Sequence, residues 1–257
     1  MSKMQLRTPP IVEALLEVKW GLKDTGVAEL IDPDYQLLLG SFWQLIKASY
    51  PHHERLPAAS IPDEVTGAVV KHRFRVAKDE WPLIQLGPGI MSVNETQKYT
   101  TFDKFKPLAV DAIKRLFEAY PGDLDIRSLM LRYIDAVDMD YSQEDVVEFV
   151  REQMHIPASL PEFLSQDINL DPKPANFAFK VSLRSKNPTG TGTLSVSTGL
   201  RDGKRSLIWE QIIHSSGDDV CEMPARFDVW LDQAHALIEG WFWKMIEGKL
   251  QERFNHA

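Results

Sequence analysis

The chain has 257 residues, of which 44% are hydrophobic and 26% are charged, and its formal net charge is -8. This composition is typical of a folded globular protein and excludes a mainly disordered, collagen-like or coiled-coil chain. The acidic balance disfavours a protein that coats nucleic acid, because phosphate binding requires a cationic surface. The single cysteine, Cys221, excludes an intramolecular disulfide and a cysteine-rich zinc site, and it fits a reducing compartment.

The N-terminal residues 1–6 contain no apolar stretch of the kind found in a secretory leader. No segment approaches the roughly 18 consecutive apolar residues that a membrane span requires. We therefore expect a cytoplasmic protein without a leader or a membrane anchor.

The first half of the chain predicts a strand, a helix, further strands and a long helix. Alternating apolar and polar residues predict a strand over Ile11–Trp20, and Asp32 followed by proline is typical of a helix start. Strands follow near 69–76 and 81–93, the second bent at a Gly-Pro-Gly sequence. Helical spacing of apolar residues predicts a long amphipathic helix over 102–119.

The second half predicts a similar order of elements. A strand over 126–138 is followed by a helix that starts near Ser142 and by a proline-rich loop over 157–174. Three strands are predicted next, at residues 176–185, 191–200 and 205–214. A final helix begins near Pro224 and reaches at least Ile246.

The two long helices match each other at a fixed spacing. An offset of 125 residues aligns Phe102 with Phe227, Ala109 with Ala234, and several further apolar positions on one helical face. Two unrelated amphipathic helices can also match in this way, but the similar element order favours duplication. We therefore predict an α+β fold of two tandem strand–helix–strands–helix repeats, 1–123 and 124–257, whose antiparallel sheet packs on long helices.

Basic side chains recur on the predicted strands, out of phase with the apolar residues of each strand. If helices cover one face of the sheet, these cations share the opposite face. Two interpretations stay open: a solvated surface, or a binding site for an anion or a protein partner. The candidate binding residues are Arg73, Arg75, Arg132, Lys180 and Arg184.

Motifs of known chemistry are absent from the sequence: it has no phosphate-binding loop, dinucleotide fingerprint, nucleophile elbow or zinc-protease motif. The His52-His53-Glu54 sequence is interpreted as a surface loop without a third metal ligand. His235 is expected to be a packed, hydrogen-bonded residue of the final helix. Asp135, Asp138 and Asp140 alternate near a strand end, a weak cation-site signal. We predict no catalytic residue, no metal site and no cofactor.

Several segments together resemble a sporadically distributed, uncharacterised family of prokaryotic proteins. The segments that carry the resemblance are 9–14, 86–90, 99–107, 131–134 and 230–235. They follow the family's order along nearly the whole chain. The resemblance implies no activity, because none is established for the family. The family's patchy distribution implies an association with mobile or defence genes.

Three functions stay open from the sequence. The lack of a catalytic motif favours a non-enzymatic cytoplasmic binding or regulatory protein, acting in defence or toxin neutralisation through a protein partner or a homo-oligomer. The basic sheet face favours the binding of a small anionic ligand, such as a nucleotide. The third function is an enzyme with an unfamiliar site that uses His235, Asp228 or Glu17. Nucleic acid and membranes are not expected as partners.

Overall fold

The structure is a computed structural model that describes residues 6–24, 30–96, 99, 101–171 and 173–256. Residues 1–5, where we predict no leader, and Pro172, in the predicted loop, lie outside the described residues. The strands are Ile11–Trp20 (β1), Lys23–Asp24 (β2), Leu30–Ile31 (β3), His52–Arg55 (β4), His72–Arg75 (β5), Leu83–Gly87 (β6), Ile90–Glu95 (β7), Ile126–Asp138 (β8), Ala178–Lys186 (β9), Thr189–Arg201 (β10) and Lys204–Ser216 (β11). The α-helices are Tyr35–Ile46 (α1), Asp63–Thr66 (α2), Phe102–Ala119 (α3), Val146–Gln153 (α4), Glu162–Ser165 (α5), Phe227–Ile246 (α6) and Lys249–His256 (α7).

Nine of these strands form one antiparallel sheet in the order β4-β5-β6-β7-β1-β8-β11-β10-β9, while β2 and β3 pair separately. The centre of the sheet joins distant parts of the chain, since β1 pairs with β8 and places Leu16 opposite Leu131. The long helices α3 and α6 pack on one face of this sheet and touch each other. No helix within the described ranges combines the length and apolar character needed to cross a membrane.

The prediction of two tandem strand–helix–strands–helix repeats is wrong. The sheet is one continuous nine-stranded unit, and the order of elements differs between residues 1–123 and 124–257. The first part contains the small β2–β3 sheet and the short strand β4, whereas the second ends in the extra helix α7. The two long helices match because both bury one apolar stripe on the same sheet face, which imposes the same spacing without duplication. The boundary near residue 123 stays a prediction.

Two apolar clusters lie between the sheet and the helices. The larger one lies under α1, α3 and the start of α6, and the smaller one under α4, α7 and the end of α6. Alternation along β1 explains this placement, because Ala14, Leu16 and Val18 are fully buried on the helix side. The spacing of apolar residues on the two long helices predicts six core residues, of which four are buried and two are partly buried: Phe105, Ile113, Trp230 and Ile238, and then Phe117 and Trp241.

Gly87, at the end of β6, allows a close backbone approach. A Cβ atom there would lie only 1.9 Å from the carbonyl oxygen of Val69, so any larger residue would collide with the main chain. The prediction of one bent strand over 81–93 is wrong, because β6 and β7 pair antiparallel with Gly87 opposite Ile90. The Gly-Pro-Gly sequence is the turn of this hairpin, and Gly89 takes the positive φ that the turn requires.

One predicted loop is a strand. His52, His53 and Glu54 lie in β4, which pairs with β5 at the edge of the sheet. The segment carries few strand-favouring residues, so its conformation comes from this pairing rather than from local propensity.

Candidate functional site

The five predicted cations lie on one face of the sheet. Antiparallel partners point to the same side, so the register can be followed from strand to strand across the sheet. It places Arg73, Arg75, Arg132, Lys180 and Arg184 together on the face away from α3 and α6. We call this the polar face.

The five cations nevertheless do not converge on one point. Arg73 and Arg75 lie on β5, Arg132 lies four strands away on β8, and Lys180 and Arg184 lie on the far edge strand β9. At roughly 4.8 Å between neighbouring strands, β5 is about 19 Å from β8 and about 34 Å from β9. One small anion can therefore contact only one of these three groups, and a joint role as a binding site stays a prediction.

Carboxylates neutralise most of this positive charge. Glu54 accepts ion pairs from Arg73 and Arg75, and the Nη2 atom of Arg132 lies 2.7 Å from Glu210. Arg184 pairs with Asp219 across 2.8 Å. Glu13 and Glu17, the nearest acids on β1, take no part in these pairs.

A cavity of about 360 Å³ opens on the other face, where the two apolar clusters meet. Residues 6–11 form one wall, the start of α3 forms another, and α6 contributes residues between 235 and 243. The floor comes from β8 and β11. The chain before β1 is held in place because Thr8 donates a backbone hydrogen bond to Phe254 and Ala136 donates one to Pro10.

Three side chains form a hydrogen-bonded row along this cavity. The hydroxyl of Tyr99 donates to the hydroxyl of Tyr133 at 3.2 Å, and Tyr133 lies 3.2 Å from Nδ1 of His235. The ring of His235 also stacks on Phe102, with 3.8 Å between the ring centroids. Burial raises the pKa of both tyrosines well above the ordinary value, so both hydroxyls keep their protons at neutral pH.

Asp135 is a buried carboxyl group in the cavity floor, with only 3% of its surface exposed. Burial raises its pKa from 3.8 to about 8, because the ionised form loses its hydration. The indole of Trp209 lies close to Asp135 and lowers its pKa, but this effect is smaller than that of burial. Among the described residues, Nε1 of Trp209 has no hydrogen-bond partner of good geometry. Burial therefore favours the protonated form of Asp135 at neutral pH.

Gln211 adds an unsatisfied acceptor to the cavity lining. Its side chain is fully buried and its Nε2 atom donates to the carbonyl oxygen of Ile238 at 3.3 Å. Its Oε1 atom has no hydrogen-bond partner within the part of the chain that the structure describes. A buried acceptor without a partner costs about 1–3 kcal/mol, which a bound donor would recover.

The sequence pointed to some of these groups and missed others. His235 is packed and hydrogen-bonded as expected, but it also lines the cavity. The aspartates near the end of β8 do not form a cation site, because Asp138 and Asp140 pair with Arg201 and Arg205 while Asp135 faces the helices. The signal that could have identified Asp135 is its phase, since it follows the buried residues Leu131 and Tyr133 at the same spacing of two.

No family model matches this chain, and no curated protein matches it. The resemblance to the sporadically distributed prokaryotic family therefore stays a prediction.

Proposed function

We propose that this chain is a non-enzymatic binding protein that holds a small organic ligand in the cavity between the sheet and α3 and α6. The observation that carries the proposal is a cavity of about 360 Å³ whose lining includes the buried, unpartnered acceptor of Gln211. Small-molecule sites are typically apolar cavities of about 300–1,000 Å³ with a few convergent polar groups. Aliphatic and aromatic side chains form most of the lining here, and the polar groups lie together on the floor and on α6.

Binding is favoured over catalysis by the state of the polar groups. The hydroxyls of Tyr99 and Tyr133 and the ring of His235 are already hydrogen-bonded to one another and held by packing. Such a fixed arrangement suits recognition, because the groups lose little entropy when a ligand arrives. A cytoplasmic location belongs to the same proposal, supported by the single free thiol of Cys221.

The test is a fragment screen read by the methyl signals of isoleucine in the ¹³C-labelled protein. Ile11 and Ile238 line the cavity, whereas Ile84 is buried in β6 beneath α1 and serves as the internal control. We expect bound fragments to shift the methyl signals of Ile11 and Ile238 while that of Ile84 stays fixed. The proposal is contradicted if no fragment shifts the signals of Ile11 and Ile238, even when fragments bind elsewhere on the protein.

A second proposal is the binding of a small anion on the polar face. Lys180 supports it, because this exposed side chain has no ion pair among the described residues. The carboxylate partners of the four arginines oppose it, because an anion would have to compete with them. Titration with ATP at low and high salt tests the proposal, since binding through exposed cations weakens as salt rises. Loss of binding in Lys180→Glu is expected if this site is real.

A further inference from the structure

The direction of the hydrogen bonds in the cavity determines which polar atoms remain for a ligand. Tyr99 donates to Tyr133, and in the tautomer of His235 whose Nδ1 carries no proton, Tyr133 donates to Nδ1. Both hydroxyl donors are thereby used within the protein. The oxygen of Tyr99 keeps its lone pairs and can accept a hydrogen bond from a ligand.

With Nδ1 of His235 as the acceptor, Nε2 of this ring is a donor and lies 3.8 Å from the carboxylate of Glu239. Further acceptors lie on the floor and on α6. The Oε1 atom of Gln211 can only accept, and it has no partner in the described part of the chain. The carboxyl group of Asp135 carries one donor while it is protonated, and a cation bound beside it favours the ionised form, which only accepts and carries a negative charge. Glu239 lies on α6 at the edge of the cavity, with 43% of its side chain exposed.

Aromatic rings form much of the remaining wall. Phe102, Phe242 and Trp243 line the cavity beside Tyr99. The faces of such rings carry negative charge density and attract cations. Arg7 is the cation among the described lining residues, and its side chain is exposed at the rim rather than buried with the acceptors.

We infer that the ligand is a small organic cation: a protonated primary amine attached to an aromatic or aliphatic body. This inference rests on the proposed function. The ammonium group supplies three donors, which match the acceptors of Gln211, Asp135 and Tyr99. The body of the ligand packs against the aromatic wall. An organic anion of the same size would place its charge against buried acceptors and is rejected.

The experiment compares three probes that share one phenyl ring and differ in charge. Phenethylamine is cationic, 2-phenylethanol is neutral and 3-phenylpropionate is anionic. Isothermal titration gives the affinities, and the methyl signals of Ile11 and Ile238 report where each probe binds. We expect phenethylamine to bind at least tenfold more tightly than 2-phenylethanol, and 3-phenylpropionate not to shift these signals.

Two variants test the acceptors directly. Gln211→Leu removes the unpartnered oxygen, and we expect about tenfold weaker binding of phenethylamine with little change for 2-phenylethanol. Glu239→Gln removes the charge at the edge of the cavity, and we expect about threefold to tenfold weaker binding. Its matched control is Glu247→Gln, because Glu247 is exposed at the end of the same helix and does not line the cavity. This control should stay within twofold of the unaltered protein.

The outcomes separate the two proposals. If 2-phenylethanol or 3-phenylpropionate shifts the signals of Ile11 and Ile238 at least as strongly as phenethylamine does, the amine class is wrong and cavity binding stands. The amine class is also rejected if none of the three probes shifts these signals while other fragments do. If no fragment of any charge shifts them, the proposed function itself fails.

Discussion

The buried carboxyl group of Asp135 makes stability depend on pH in an unusual direction. Its folded-state pKa of about 8 lies above the ordinary 3.8, so the folded protein binds a proton that the unfolded chain releases between these values. The free energy of unfolding therefore falls as pH rises through this range. Asp135→Asn removes the titration while keeping the shape of the side chain.

The magnitude follows from the shift. Each pH unit within the window changes the free energy of unfolding by about 1.4 kcal/mol, and less as pH approaches the folded-state pKa. Between pH 6 and pH 8 the protein should therefore lose about 2–3 kcal/mol relative to Asp135→Asn. Both pH values lie above the sequence pI of about 5.4, where solubility is lowest.

Urea unfolding of both proteins, followed by tryptophan fluorescence at pH 6, 7 and 8, measures this difference. Asp138→Asn is the matched control, because Asp138 ends the same strand, is half exposed and pairs with Arg201 at 2.8 Å. Its effect should stay within about 1 kcal/mol at every pH. A difference between Asp135→Asn and the unaltered protein that does not change with pH would refute the reasoning.

Three further predictions concern packing and the polar face. Gly87→Ala should abolish folding or lower the free energy of unfolding in urea by more than about 4 kcal/mol, because its Cβ would collide with a backbone carbonyl. The control Gly122→Ala places its Cβ in open space and should change the free energy of unfolding by less than about 1 kcal/mol. Phe105→Ala should cost about 3–5 kcal/mol, since the ring is 1% exposed; a loss below about 0.5 kcal/mol would contradict its placement in the core. A double-mutant cycle of Arg132→Ala and Glu210→Ala should give a coupling below about 1 kcal/mol, because both side chains are about one-third exposed; a much larger value would show a more rigid pair than we describe.

Elements with strong local signals were predicted well from the sequence. The helix over 102–119 and the strand over 126–138 match the structure at both ends. Each combines a long amphipathic pattern with clear breakers, so local preference and tertiary packing agree. The strand at His52–Arg55 lacked such a pattern and forms only because β5 lies beside it.

The cavity could not be predicted from the same patterns. Tyr99, Tyr133 and His235 are more than 30 residues apart from one another, and only the pairing of β1 with β8 and the packing of α6 bring them together. Periodicity reports which face of a strand is buried, but it does not report which buried positions on different strands become neighbours. On the polar face, the phase of each strand correctly predicted that the five cations point to one side. The distances between them depend on the order of the strands in the sheet, which the phase does not report.

The rim of the cavity joins residues that lie far apart in the sequence. The backbone amide of Thr8 bonds to the carbonyl oxygen of Phe254, while residues 6–11 form one wall of the cavity. A chain still being synthesised cannot form this hydrogen bond until residue 254 has emerged. If the proposed function holds, occupancy of the cavity and opening of the Thr8–Phe254 hydrogen bond are linked. A bound ligand should slow hydrogen exchange at the amide of Thr8, although that amide contacts the rim and not the ligand.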